Sequence, residues 1–119
     1  MNQLGLCYIA SPYTLTPDID RAFQQVARVT AHLAKTGMAV ISPIVHSHPL
    51  VRAGHLDHKD PAVYAALNAK MLEICSVLII VLLEGWQESD GIREEVAFFE
   101  AAHKPIFECD PFTLVMKRR

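Results

Sequence analysis

Short apolar runs alternate along this chain with longer stretches in which apolar positions recur every three or four residues. Leu6-Cys7-Tyr8-Ile9-Ala10 is the first run, and Ser11-Pro12 ends it. It predicts a buried strand closed by proline. Tyr13 to Asp18 is turn-like, and Thr16-Pro17 predicts an N-cap followed by proline at the first helical position. Ile19, Phe23, Val26, Thr30, Leu33 and Ala34 then fall on one face of an amphipathic helix. Gly37 closes that helix, and Met38 to Ser42 predicts a second strand stopped by Pro43.

From Ile44 to Lys59 no period is sustained. The stretch holds Pro49, Gly54 and the histidines His46, His48, His55 and His58, and it predicts a long loop. Long loops in compact domains are often functional. Asp60-Pro61 opens a second predicted helix with Val63, Leu67, Met71 and Ile74 on its apolar face. Val77 to Leu83 is the clearest strand, and its unbroken apolar character predicts a central position covered on both faces. Glu84 to Ser89 reads as a loop. Asp90 is the expected N-cap of a third helix carrying Ile92, Val96 and Phe99. Lys104 to Glu108 predicts a fourth strand, and Asp110-Pro111 begins a short closing element.

Strand and helix therefore alternate through one domain spanning residues 1–119. Such alternation implies an α/β fold: a three-layer, flavodoxin-like (Rossmann-like) parallel sheet with helices on both faces. With the third strand central, the expected strand order is 2-1-3-4. Ligands of such sheets bind beyond the carboxyl ends of the strands, where the winding reverses. Here that point lies between the first and third strands. It brings together Ser11-Pro12-Tyr13 and the segment Gly85 to Ser89.

Composition narrows the function. The chain has 119 residues, of which 51% are hydrophobic and 20% charged, with a net charge of −2. Mean hydropathy is +0.21. This excludes a disordered chain and favours doubly covered strands or a subunit interface. The balance of 11 basic and 13 acidic residues gives no electrostatic footprint for nucleic acid. The N-terminus lacks the pattern of a signal peptide, and Val77 to Leu83 falls far short of the roughly 20 residues of a membrane helix. Cys7, Cys75 and Cys109 suit neither a disulfide framework nor a zinc knuckle, which favours a reducing, cytoplasmic setting.

The chemistry concentrates before the third helix, in Gly85-Trp86-Gln87-Glu88-Ser89-Asp90-Gly91-Ile92-Arg93-Glu94-Glu95. Backbone N–H groups at a helix start point at a bound anion, and Ser89 adds a donor. Glu95 lies about one turn beyond Gly91, where a glycine leaves room for a ligand. A positioned carboxylate serves as nucleophile or base. The alternative is that Asp90 caps the helix and Glu94 and Glu95 only complement its dipole. Tyr8 lies in an apolar strand, and its buried phenol needs a partner, for which Glu95, backbone and water are the candidates. Trp86 either stacks on a nucleobase or packs on its own loop. His46, His48, His55 and His58 suggest a metal, but no second ligand pair sits on a defined element, so pocket or packing roles are favoured and no metal is expected. No dinucleotide fingerprint, Walker loop or nucleophile elbow is present, and no cofactor is expected.

Tyr8-Ile9-Ala10-Ser11-Pro12-Tyr13, then Ser89-x-Gly91-x-x-x-Glu95, then Lys104-Pro105-Ile106, resemble in order the nucleoside 2-deoxyribosyltransferase superfamily, most closely its small bacterial and phage branch. The resemblance implies that Glu95 is a nucleophile attacking an anomeric carbon and that Tyr8 orients it. It implies that Ser89 stands where the branch acting on deoxynucleoside 5′-monophosphates binds phosphate. Asn68 stands where the transferases have an aspartate that engages the base, and an amide cannot donate a proton as a carboxylic acid does. The implied substrate-binding set is Ser11, Pro12, Tyr13, His46, Asn68, Trp86, Ser89, Asp90 and Gly91. Family sites often borrow residues from a neighbouring subunit.

The expected activity is thus N-glycosidic bond hydrolysis or 2-deoxyribosyl transfer on a small-molecule nucleoside or nucleotide, through a glutamate nucleophile. Whether water or a second base resolves the intermediate is left open. The rival expectation is a non-catalytic nucleotide-binding module on the same fold, suggested by Asn68. No nucleic-acid or membrane partner is expected, and a homo-oligomer is.

Overall fold

The computed structural model describes residues 4–119. Five strands, β1 (Leu6–Ala10), β2 (Ala39–Ile41), β3 (Val77–Val81), β4 (Ile106–Cys109) and β5 (Met116–Arg118), form one sheet in the order β2-β1-β3-β4-β5. The first four are parallel, and β5 pairs antiparallel with β4 at the edge. Four helices surround the sheet: α1 (Ile19–Lys35), α2 (Pro43–Gly54), α3 (Ala65–Ile74) and α4 (Asp90–Ala101). The fold is the three-layer flavodoxin-like arrangement, extended by β5, which the closing element at Asp110-Pro111 leads into.

Strand alternation divides the core into two faces. Cys7, Ile9, Val77, Ile79 and Val81 pack with Val26, Val29 and Leu33 of α1, and Ile44 and Val45 of α2 adjoin them. On the opposite face Tyr8, Ala10, Leu78 and Ile80 pack with Ile92, Val96 and Phe99 of α4, beside Met71 and Leu72 of α3. All five residues of β3 are buried, as a central parallel strand requires.

Several local expectations are corrected. The stretch after β2 is a helix rather than a loop. Ser42 caps α2, its hydroxyl accepting from the Val45 N–H at 3.2 Å, and Pro43 follows at the helix start. The buried face of α2 is Pro43, Ser47, His48 and Val51, so two of its inward positions are polar and the apolar period is lost. The Ser47 hydroxyl is satisfied by the Pro43 carbonyl. His55, in the left-handed region at φ 51°, ends the helix.

The caps of α1 and α4 also shift. Asp18, not Thr16, caps α1, its carboxylate accepting from the Arg21 N–H at 3.0 Å. Thr16 instead donates to the Tyr13 carbonyl at 2.8 Å. Ser89, not Asp90, caps α4, accepting from the Ile92 N–H at 3.2 Å. Asp60-Pro61 opens a single 3₁₀ turn, Pro61–Val63, and α3 starts only at Ala65. Ile74, expected on the buried face of α3, is 57% exposed. None of α3's residues is fully buried.

Candidate functional site

The site begins with β1. Alternation turns Tyr8 toward α4, where it is fully buried and its ring meets Phe99 edge-on at 6.1 Å. The Ser89 cap sets the start of α4, and Glu95 follows within two turns. The Tyr8 hydroxyl donates to Glu95 Oε2. Burial pushes the Glu95 carboxyl up to about 7, the Tyr8 hydrogen bond draws it down, and neighbouring Glu94 raises it again. Near neutral pH this group therefore passes between its protonated and its ionised form. Burial, with Glu95 close by, raises Tyr8 above the ordinary phenol range, so it stays a donor.

A cavity of about 420 Å³ opens beyond the carboxyl ends of β1 and β3. It falls in the size range of small-molecule sites. One wall is the segment Pro12 to Asp18, and a second is Arg21, Ala22 and Gln25 of α1. Glu84, Gly85, Glu88 and Ser89 close the third side. Pro12, Tyr13 and Ser89 from the expected binding set thus line it. Gly85, at φ 90°, takes the left-handed turn that leads from β3 into this wall.

The other expected residues lie elsewhere. Trp86 lines a separate recess of about 150 Å³ with Ser89, Ile92, Arg93 and Val96. Asp90 forms an exposed ion pair with Arg93 at 2.7 Å. Gly91 is open: a Cβ there would meet only Ser89 Oγ, at 3.8 Å. His46 is exposed on α2. Tyr8, Glu95, Ser11 and Asn68 are not on the walls of the larger cavity. Ser11 Oγ and Asn68 Oδ1 are buried without a hydrogen-bond partner among the described residues. Buried polar atoms of this kind cost roughly 1–3 kcal/mol unless water or a ligand completes them.

Sequence reasoning missed a second network. The Tyr13 hydroxyl lies 2.6 Å from His48 Nδ1, and His48 Nε2 lies 2.8 Å from Asp20 Oδ1. Arg52 clamps Asp20 through Nε at 2.9 Å and a second guanidinium nitrogen at 2.8 Å. Tyr13 and His48 are both 4% exposed, and the Phe23 ring stacks on the imidazole at 4.6 Å. The Arg52 pair, then burial opposing it, then the His48 contact set the Asp20 carboxyl below its ordinary range. His58 and Tyr64 meet the Tyr13 ring edge-on at 5.9 and 6.2 Å. His48 and Arg52 are one helical turn apart, a spacing that only recognition of α2 reveals.

His48 is thus committed to Tyr13 and Asp20. Among the described residues no three His, Cys, Asp or Glu side chains converge on a position that holds a metal ion. Cys7, Cys75 and Cys109 are buried free thiols, and burial pushes Cys75 up to about 11. Also among the described residues, no helix is long and apolar enough to cross a membrane.

The domain of unknown function DUF1937 matches residues 5–110, and the chain belongs to that family. No curated protein matches it.

Proposed function

We propose that this DUF1937 protein cleaves the N-glycosidic bond of a nucleoside or nucleotide through Glu95. The observation that carries the reading is the Tyr8–Glu95 pair. A partly buried carboxylate held by one donor is a suitable nucleophile toward an oxocarbenium-like centre. A hydrogen bond from Tyr8 restricts its rotamer and supports its ionised form. The helix that carries Glu95 is capped by Ser89, which lines the cavity of about 420 Å³. The resemblance to the nucleoside 2-deoxyribosyltransferase superfamily assigns the same two residues these roles.

The test is incubation with a panel of deoxynucleosides and their 5′-monophosphates, with chromatography of released base. Base release or exchange that is lost in Glu95→Ala supports the reading. A wild type with neither, or an unaffected Glu95→Ala, rejects it.

A non-catalytic nucleotide-binding module is the second reading. It is favoured by Asn68, whose amide can hydrogen-bond a leaving base but is too weak an acid to protonate it as a carboxylic acid does, and by the absence of Glu95 from the cavity wall. It predicts saturable nucleotide binding by calorimetry with no turnover.

We further propose a cytoplasmic homo-oligomer. The free buried thiols suit a reducing compartment. Exposed Ile74 and Phe98 on α3 and α4 suit a subunit contact. Light scattering at a monomer mass across all concentrations rejects the oligomer.

A further inference from the structure

We propose that α3 is the contact helix of a two-fold dimer and packs antiparallel against the α3 of a second copy of this chain. The inference rests on the homo-oligomer reading and names the surface that reading leaves open. It does not depend on the role of Glu95.

Three observations carry it. The first is an apolar helix without burial. α3 is apolar at every position except Asn68, Lys70 and Glu73, yet none of its residues is buried. A helix of that composition is ordinarily covered on most sides. Here only the inner side is used, where Met71 and Leu72 pack on the cluster around Tyr8.

The second is the make-up of the outer side. At about 3.6 residues per turn, Ala66, Lys70, Glu73 and Ile74 share the side turned away from Asn68 and Leu72, with Ala69 at its border. All five are exposed, Ile74 by 57%. The small alanines let a second helix axis approach to roughly 8–10 Å.

The third is self-complementary charge. Across a two-fold axis residue i meets residue j, and j meets i. An axis crossing α3 between Met71 and Leu72 sets Lys70 against the partner's Glu73, and Glu73 against the partner's Lys70. The same axis sets Ala69 against the partner's Ile74, small against large, and the reverse. An axis through Lys70 instead sets like charges together. Lys70 and Glu73 make no ion pair among the described residues, so both are free to pair across the contact.

The surface is larger than α3 alone. A helix of 10 residues spans about 15 Å, too little by itself for the roughly 1,000 Å² of a stable contact. The patch continues onto α4, where Phe98 is 38% exposed. Lys104 links the two, its Nζ lying 3.0 Å from the Glu73 carbonyl and 5.8 Å from the Phe98 ring centre. Dimerisation then covers α3 on both sides and braces the helix that backs the Tyr8 cluster.

The experiment is sedimentation velocity over a concentration series, for wild type, Lys70→Glu, Glu73→Lys and a 1:1 mixture of the two variants. Both positions are exposed, so neither variant disturbs the core. Wild type is expected to dimerise. Each variant alone sets like charges together twice, and is expected to raise the dimer Kd by about tenfold or more. In the mixture one chain supplies two acids and the other two bases. Every facing pair is again opposite in charge, so a heterodimer of near wild-type affinity is expected. Variants that are weakened but not rescued by mixing overturn the α3 contact. A wild type that self-associates, with both variants matching it, overturns the α3 contact and leaves the homo-oligomer reading standing. A wild type that is monomeric at every concentration overturns both.

Discussion

The Tyr8 hydroxyl donates to Glu95 Oε2, joining the middle of β1 to α4 across one face of the sheet. Both protonation states of Glu95 are accessible near neutral pH, since its carboxyl titrates at about 7. The nucleophilic role proposed for Glu95 requires the ionised form, so on that proposal activity is expected to rise with pH through about 7. The Tyr8 bond lowers this value. Tyr8→Phe keeps the ring beside Phe99 and removes the bond, so the rising limb is expected to move to higher pH. Each unit of movement costs roughly tenfold in rate on the acidic side. A pH–rate profile of both proteins checks this, and a limb that stays in place contradicts it.

The same carboxyl affects stability, with a definite sign. Its folded value, about 7, lies above the ordinary 4.5, so the folded state binds the proton more tightly than the unfolded one. Stability from this group is full below the unfolded value and declines as pH rises through about 7. Glu95→Gln carries no charge and escapes the decline. It is expected to abolish turnover while unfolding at a higher temperature than wild type at pH ~8, by up to roughly 3 kcal/mol from the size of the shift. The gap is expected to close toward pH ~5. Thermal melts at the two pH values measure it.

Parts of this arrangement are legible in the sequence because they rest on continuous or strictly periodic apolar patterns. Val77 to Val81 is apolar without a break, and it is the central strand with every residue buried. Ile92, Val96 and Phe99 recur at helical spacing, and all three are buried on α4. The ordering of the parallel strands follows from these. By contrast, α2 turns Ser47 and His48 inward, so a polarity pattern does not show it. With α2 hidden, the contact of His48 and Arg52 with Asp20 is hidden too, because it depends on α1 and α2 packing together. The edge strand β5, Met116-Lys117-Arg118, is short and largely exposed, and it lacks an apolar signal. Tyr8 and Glu95 are far apart in sequence, and their pairing emerged from a buried phenol's need for a partner together with motif resemblance.

Lys104 supports the site from behind. Its Nζ donates to the carbonyls of Leu72, Glu73 and Cys75 at 3.3, 3.0 and 2.8 Å, completing the end of α3. The ammonium also sits 5.8 and 5.6 Å from the Phe98 and Phe99 ring centres. A cation at a helix C-terminus opposes the negative end of its dipole. Lys104→Met keeps most of the aliphatic stem and removes the charge and donors. It is expected to cost about 1–2 kcal/mol, read as a lower urea midpoint with an unchanged slope.

Gly91 separates a structural role from a ligand role. It lies in the first turn of α4, and a Cβ there meets only Ser89 Oγ at an ordinary 3.8 Å. Its φ is not in the left-handed region, so nothing in the protein's own packing requires glycine. Gly91→Ala is therefore expected to stabilise the fold by roughly 0.5 kcal/mol, through a less flexible unfolded chain. If the glycine instead keeps space for a ligand approaching Glu95, the same methyl group obstructs it. The expected outcome is a slightly higher melting temperature together with a raised KM or weaker nucleotide binding. A stabilised variant with unchanged binding places the ligand away from the α4 start, and the approach to Glu95 must then come from another side.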